Sequence, residues 1–122
     1  MTNPWAAIVG PCYTRASLAR ALGWTEQDVA TAVEALDVLE VLPVDGQPLY
    51  PAFQIADGRL VAGLADVLRT LSTGTESRWT WAQWLNSTGY AEESRRPIDM
   101  LKDGELDQVL LEARHDAWSW SS

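Results

Sequence analysis

Apolar residues return at helical intervals through the first third of the chain. Leu18, Ala21 and Leu22 share one face of a segment that Thr14 can cap and Gly23 can end. Beyond Trp24, Thr25 starts a second helix with Asp28 at the reciprocal capping position, and Val29, Ala32, Val33 and Leu36 form its apolar face. In "LARALGWTEQDVATAV", small Ala19 is followed by Gly23 and then by Val29. That is helix-turn-helix spacing: the small residue lets two helices approach and the glycine makes the turn.

The period then changes. "LEVLPVDGQPLYPAF" alternates apolar residues around Asp45-Gly46, a hairpin turn pair, and Pro43, Pro48 and Pro51 keep the strands short and edge-like. A hairpin after a helix-turn-helix predicts a winged-helix-like N-terminal region. A second turn at Asp57-Gly58 leads into "LVAGLADVLRTLS", where Leu60, Leu64, Val67, Leu68 and Leu71 predict an amphipathic helix running through Gly63.

"RWTWAQWLN" predicts a short helix capped by Thr80, with Gln83 completing a capping box and Trp79 and Trp84 as its hydrophobic staple. After the polar loop "STGYAEES", Pro97 opens a helix to Lys102 that Gly104 ends. A last helix runs from about Glu105 to Trp120. Leu106, Val109, Leu110, Ala113, Ala117 and Trp120 lie on one stripe and are expected in the core. Asp107, Leu111, Arg114 and Trp118 form a second ridge, roughly 80–140° away at helical spacing. Two large apolar groups in register with charges predict a partner-binding surface.

The expected architecture is therefore mainly α, in two parts. Residues 1–54 make the helix-turn-helix and hairpin, and residues 55–122 make a C-terminal helical domain.

Composition narrows the functions. Seventeen acidic against nine basic residues give a net charge of −8. The acids lie in both halves, so the chain lacks the basic footprint of most nucleic-acid binders and a basic partner is expected. Gln27 and Thr31 are the candidate base-reading side chains of the second helix, yet Glu26, Asp28, Glu34 and Asp37 on or beside it repel phosphate. DNA contact is expected to be weak, or to occur within a complex. With Cys12 as the sole cysteine, no internal disulfide forms. No apolar run approaches the ~20 residues of a membrane span, and "MTNPWAAIVGPCY" lacks the basic start of a secretory signal. A cytoplasmic location is expected. His115 is the sole histidine and has no cysteine near it in sequence, so no metal, no cofactor and no catalytic triad are predicted.

The C-terminal pattern "RRPIDMLKDGELDQVLLEA" resembles the toxin-binding domain of the Xre/MbcA/ParS antitoxin family. Pro97, Leu101, Gly104, Glu105, Val109 and Leu110 match in order, and "WAQWLN" stands where the family has its preceding helix. The chain departs from the family in the loop "NSTGYAEES", in Ser94 and in the tail "HDAWSWSS". The resemblance implies a bacterial antitoxin that covers the active-site cleft of a RES-domain, NAD-degrading toxin. On that expectation the toxin-binding residues are Arg95, Arg96, Asp103, Glu105, Asp107, Leu111, Arg114, Trp118 and Trp120. A homodimer is left open, and the alternative function is a helix-turn-helix transcriptional regulator.

Overall fold

A computed structural model describes residues 9–87 and 95–122. The loop read in "STGYAEES" therefore falls almost wholly outside the described residues. The fold is mainly helical with small antiparallel hairpins: β1 (Cys12–Tyr13), α1 (Arg15–Leu22), α2 (Glu26–Glu34), β2 (Tyr50–Pro51), a 3-10 turn (Ala52–Gln54), β3 (Ile55–Ala56), β4 (Arg59–Leu60), α3 (Leu64–Leu71), α4 (Arg78–Asn86), α5 (Pro97–Lys102) and α6 (Leu106–Ser121).

The first two helices carry the capping chemistry written in the sequence. Thr14 caps α1 and Thr25 caps α2, each in a reciprocal box with the residue three on, Ser17 and Asp28. Gly23 ends α1 at φ 72°, and the Trp24 N–H reaches back to the Ala19 carbonyl at 2.8 Å. The end of α2 departs from the expectation. Leu36 is not on the helical face; it stands beyond the helix at φ 62°. The Leu36 N–H bonds Val33 O at 3.1 Å and the Asp37 N–H bonds Ala32 O at 2.8 Å, a Schellman ending in which leucine occupies the usual glycine position.

The first hairpin is a bridge with a loop. Val41 and Leu49 exchange both backbone hydrogen bonds at 2.9 Å, and the turn closes from Gly46 N to Pro43 O, so Val44 and Asp45 rather than Asp45-Gly46 are its central pair. Gly46 follows in the left-handed region. β2 then pairs antiparallel with β1, with Tyr13 opposite Tyr50. In the second hairpin Asp57 and Gly58 both have positive φ and join β3 to β4 in the two-residue turn that suits strand twist.

Two helix starts also differ from the pattern reading. Leu60 belongs to β4, and Gly63, at φ 86°, precedes α3 rather than sitting within it. Ser77, not Thr80, caps α4; its Oγ accepts from the Thr80 N–H. A helix-capping residue is recognisable by type, but "STGTESRWT" offers several serines and threonines and the period does not choose among them.

Leu18, Ala19, Val29, Ala32, Val33, Val38 and Tyr50 form one buried cluster. A larger cluster holds the inner faces of α3 to α6, and Val9, Leu39 and Val41 join it. α3 packs along α6. Gln54 fastens the chain entering the first hairpin to the turn that follows β2: fully buried, its amide accepts from Leu39 N–H and donates to Leu39 O, both at 2.9 Å. No helix among the described residues is long and apolar enough to cross a membrane.

Candidate functional site

The outward side of α2 is the first candidate surface. Val29, Ala32 and Val33 face inward, which leaves Glu26, Gln27, Thr31 and Glu34 exposed. Gln27 and Thr31 are one turn apart, so they share a face. Two of the four acids that oppose DNA are engaged locally. The Asp28 carboxylate accepts the Thr25 N–H at 2.9 Å, and Asp37 holds Arg69 at 2.8 Å. Glu26 and Glu34 remain on the exposed side. Beside the helix pair the first hairpin projects outward, with Val44 at its tip 99 % exposed.

The hairpin is braced from behind. Arg15 Nε donates to the Tyr50 hydroxyl at 2.9 Å, and that hydroxyl donates to Glu40 at 2.6 Å. Arg15 also reaches Glu40 at 3.2 Å, which ties α1 to the segment between α2 and the first hairpin. Burial, then the bond to Glu40, pushes the Tyr50 phenol up to about 12.

The second candidate surface is α6 and its approach. Among the residues expected to contact a partner, Arg95 pairs with both Asp103 and Glu105, and Arg96 grips Asp99 through two bonds of 2.7 and 2.9 Å while also reaching Asn86. The Arg96 hydrogen bond holds the Asp99 carboxyl below the usual carboxylate range. These charges knit α4, α5 and the start of α6 to one another.

Along α6, Val109, Ala113 and Ala117 are buried, and Leu106 and Leu110 are half-buried against the core. Trp120 corrects the expected stripe: it is 37 % exposed. It has the right angle for the core, but it lies three residues beyond Ala117, the last buried position of the helix. On the outer ridge Leu111 is 58 % and Trp118 is 69 % exposed, flanked by exposed Asp107 and Arg114.

Other tryptophans serve the interior. Trp81 is buried, and its Nε1 donates to Thr75 O at 3.0 Å. Trp84 Nε1 donates to Asp116 at 2.6 Å and thereby links α4 to α6. Cys12 is half-buried in β1, and burial pushes its thiol up, away from thiolate reactivity. His115 is exposed beside Asp116 at 3.3 Å. Among the described residues no three His, Cys, Asp or Glu side chains stand close enough to hold a metal ion. The Tyr50 brace and the Gln54 clamp have no signature in the sequence. A lone tyrosine and a lone glutamine carry no spacing, and their partners are about 10 to 35 residues distant.

No family model and no curated protein matches the chain. Among solved structures it is similar to the NMR structure of Rv2175c, with a TM-score of 0.72 and 22 % identity over 88 % of this chain and 81 % of that one. At that identity the likeness is one of fold.

Proposed function

We propose that this chain is a winged helix-turn-helix regulator that reads DNA with α2, using the first hairpin as the wing. The observation that carries the reading is the exposed Gln27–Thr31 face of α2 beside a projecting hairpin, on a helix pair that packs into the core through Leu18, Ala19, Val29, Ala32 and Val33. A helix so mounted can enter a major groove, where glutamine and threonine hydrogen-bond base edges and glutamate accepts from cytosine. Asp37 is paired with Arg69 and Asp28 is turned to the Thr25 N–H as a helix cap, so Glu26 and Glu34 are the acids left without such local bonds beside Gln27 and Thr31. Few basic groups remain for phosphates, so a single chain binds weakly.

The test is a titration with the DNA upstream of its own reading frame. Expected are a dissociation constant near the micromolar range at physiological salt and a shallow salt slope, each phosphate contributing about −0.9 to it. Gln27→Ala with Thr31→Ala should erase sequence preference and leave that slope unchanged. Equal affinity of the wild-type chain for unrelated DNA would remove the reading.

The exposed Leu111–Trp118 ridge favours a second reading, an antitoxin that covers a RES-type toxin with α6 as the resemblance in "RRPIDMLKDGELDQVLLEA" implies. Co-expression with the adjacent reading frame tests it. Rescue of growth that depends on Leu111 and Trp118 supports it, and an adjacent frame with no toxicity opposes it.

A further inference from the structure

The outer ridge of α6 is complementary to itself. Leu111 and Trp118 are seven residues apart on the exposed side, about 10 Å along the axis. Relative to Leu111, Asp107 lies about 40° and Arg114 about 60° to the same flank. The order along the ridge is acid, apolar, base, aromatic.

We propose that this ridge pairs with the same ridge of a second copy of the chain, antiparallel, about a two-fold axis near Leu111. A two-fold axis sets like patches against each other, and four alignments then coincide. Leu111 meets its own counterpart. Asp107 comes level, within one residue, with the second copy's Arg114, and the reverse pair forms at the other end. In an antiparallel pair each flank meets its like flank, so both ion pairs lie along one edge. Trp118 reaches the turn at Gly104, seven residues to the other side of Leu111. Gly104 is exposed, and a Cβ built on it would have no neighbour within 4 Å, so that turn leaves room for an indole.

The apolar groups supply the attraction and the ion pairs set the register, because exposed ion pairs contribute little. Each chain carries −8, so the pair forms against mutual repulsion that salt screens beyond about 8 Å. One helix per chain buries a small interface, well under ~1,200 Å², which belongs to weak association. The pairing rests on α6 alone and does not depend on DNA reading. It would, however, give two α2 helices related by a two-fold axis.

Sedimentation equilibrium of the full chain from low micromolar to about 500 µM tests the pairing. The apparent mass should rise toward twice that of one chain within the range, and Leu111→Ala with Trp118→Ala should stay monomeric. Asp107→Arg alone and Arg114→Asp alone should each weaken association, by about fivefold for the two symmetric pairs lost. The two reversals combined should return it to near the wild-type value. A wild-type chain that is monomeric throughout, a dimer that persists without Leu111 and Trp118, or a double reversal that does not recover would each overturn the proposal. So would a monomeric chain whose ridge is covered by the product of the adjacent reading frame.

Discussion

Gly74 lies directly against the backbone of Ala117. A Cβ at Gly74 would stand 2.3 Å from the Ala117 carbonyl oxygen and 2.6 Å from its Cα. The loop after α3 thus reaches the last buried turn of α6, and the absence of a side chain there sets how closely the helix can approach.

Gly74→Ala should therefore destabilise the fold. The obstacle is backbone, which cannot rotate aside as a side chain can, so the last turns of α6 must move outward. Overpacking of this kind costs about 1–3 kcal/mol. Urea denaturation measures it; a wild-type midpoint in the variant would mean that α6 yields freely at Ala117.

How much of this was legible in the sequence depended on whether the signal was local. The caps at Thr14 and Thr25, the stop at Gly23 and the turn at Asp57-Gly58 were readable because each device lies within four residues of the element that it ends. The face of α6 was readable as far as Ala117 and failed at Trp120, since periodicity gives an angle but not the height at which the neighbouring core ends. The arginines at 95 and 96 were legible as charges but not as partners. That Arg95 turns to Asp103 and Glu105 depends on how α5 meets α6. Gly74 lies in "STGTES", between α3 and α4. Nothing in that stretch tells a loop glycine from one pressed on a helix about 43 residues away.

Gln54→Leu should cost on the order of 2–4 kcal/mol. The substitution fits the volume but leaves the Leu39 N–H and C=O, both bonded to Gln54, without those partners in a fully buried place. Each orphaned buried group costs about 1–3 kcal/mol. Chemical denaturation reads the loss, and hydrogen exchange at Leu39 should accelerate with it. Unchanged protection of that amide would mean that the clamp contributes little.

Two tryptophans should answer truncation in opposite ways. Trp81→Ala removes a ring that is 3 % exposed, its hydrogen bond to Thr75, and the surface over which Arg78 stands at 5.6 Å. Such a loss typically costs about 3–5 kcal/mol. Trp118→Ala removes a ring 69 % exposed and should change stability by less than about 1 kcal/mol, helped by alanine's helix propensity. Melting curves at low protein concentration, where chains are separate, compare them. Similar losses for both would place Trp118 in the core and remove the outer ridge.

The Tyr50 brace should show itself at alkaline pH. In the unfolded chain the phenol titrates near 10, whereas in the fold its pKa is about 12. Between those values the unfolded chain has released the proton and the folded chain retains it, so stability falls as pH rises. The contribution is whole below about pH 10 and lost as pH passes through about 12. Tyr50→Phe removes this window. At neutral pH the variant loses the bonds to Glu40 and Arg15, about 1–2 kcal/mol, while Arg15 and Glu40 keep their own contact at 3.2 Å. Stability of both proteins is then followed by urea denaturation from pH 8 to 12. The gap between the curves should narrow above pH 10, because the other tyrosines are common to both and cancel. A constant gap across that range would mean that the folded phenol titrates as it does in the unfolded chain, and that neither its burial nor Glu40 restrains its proton.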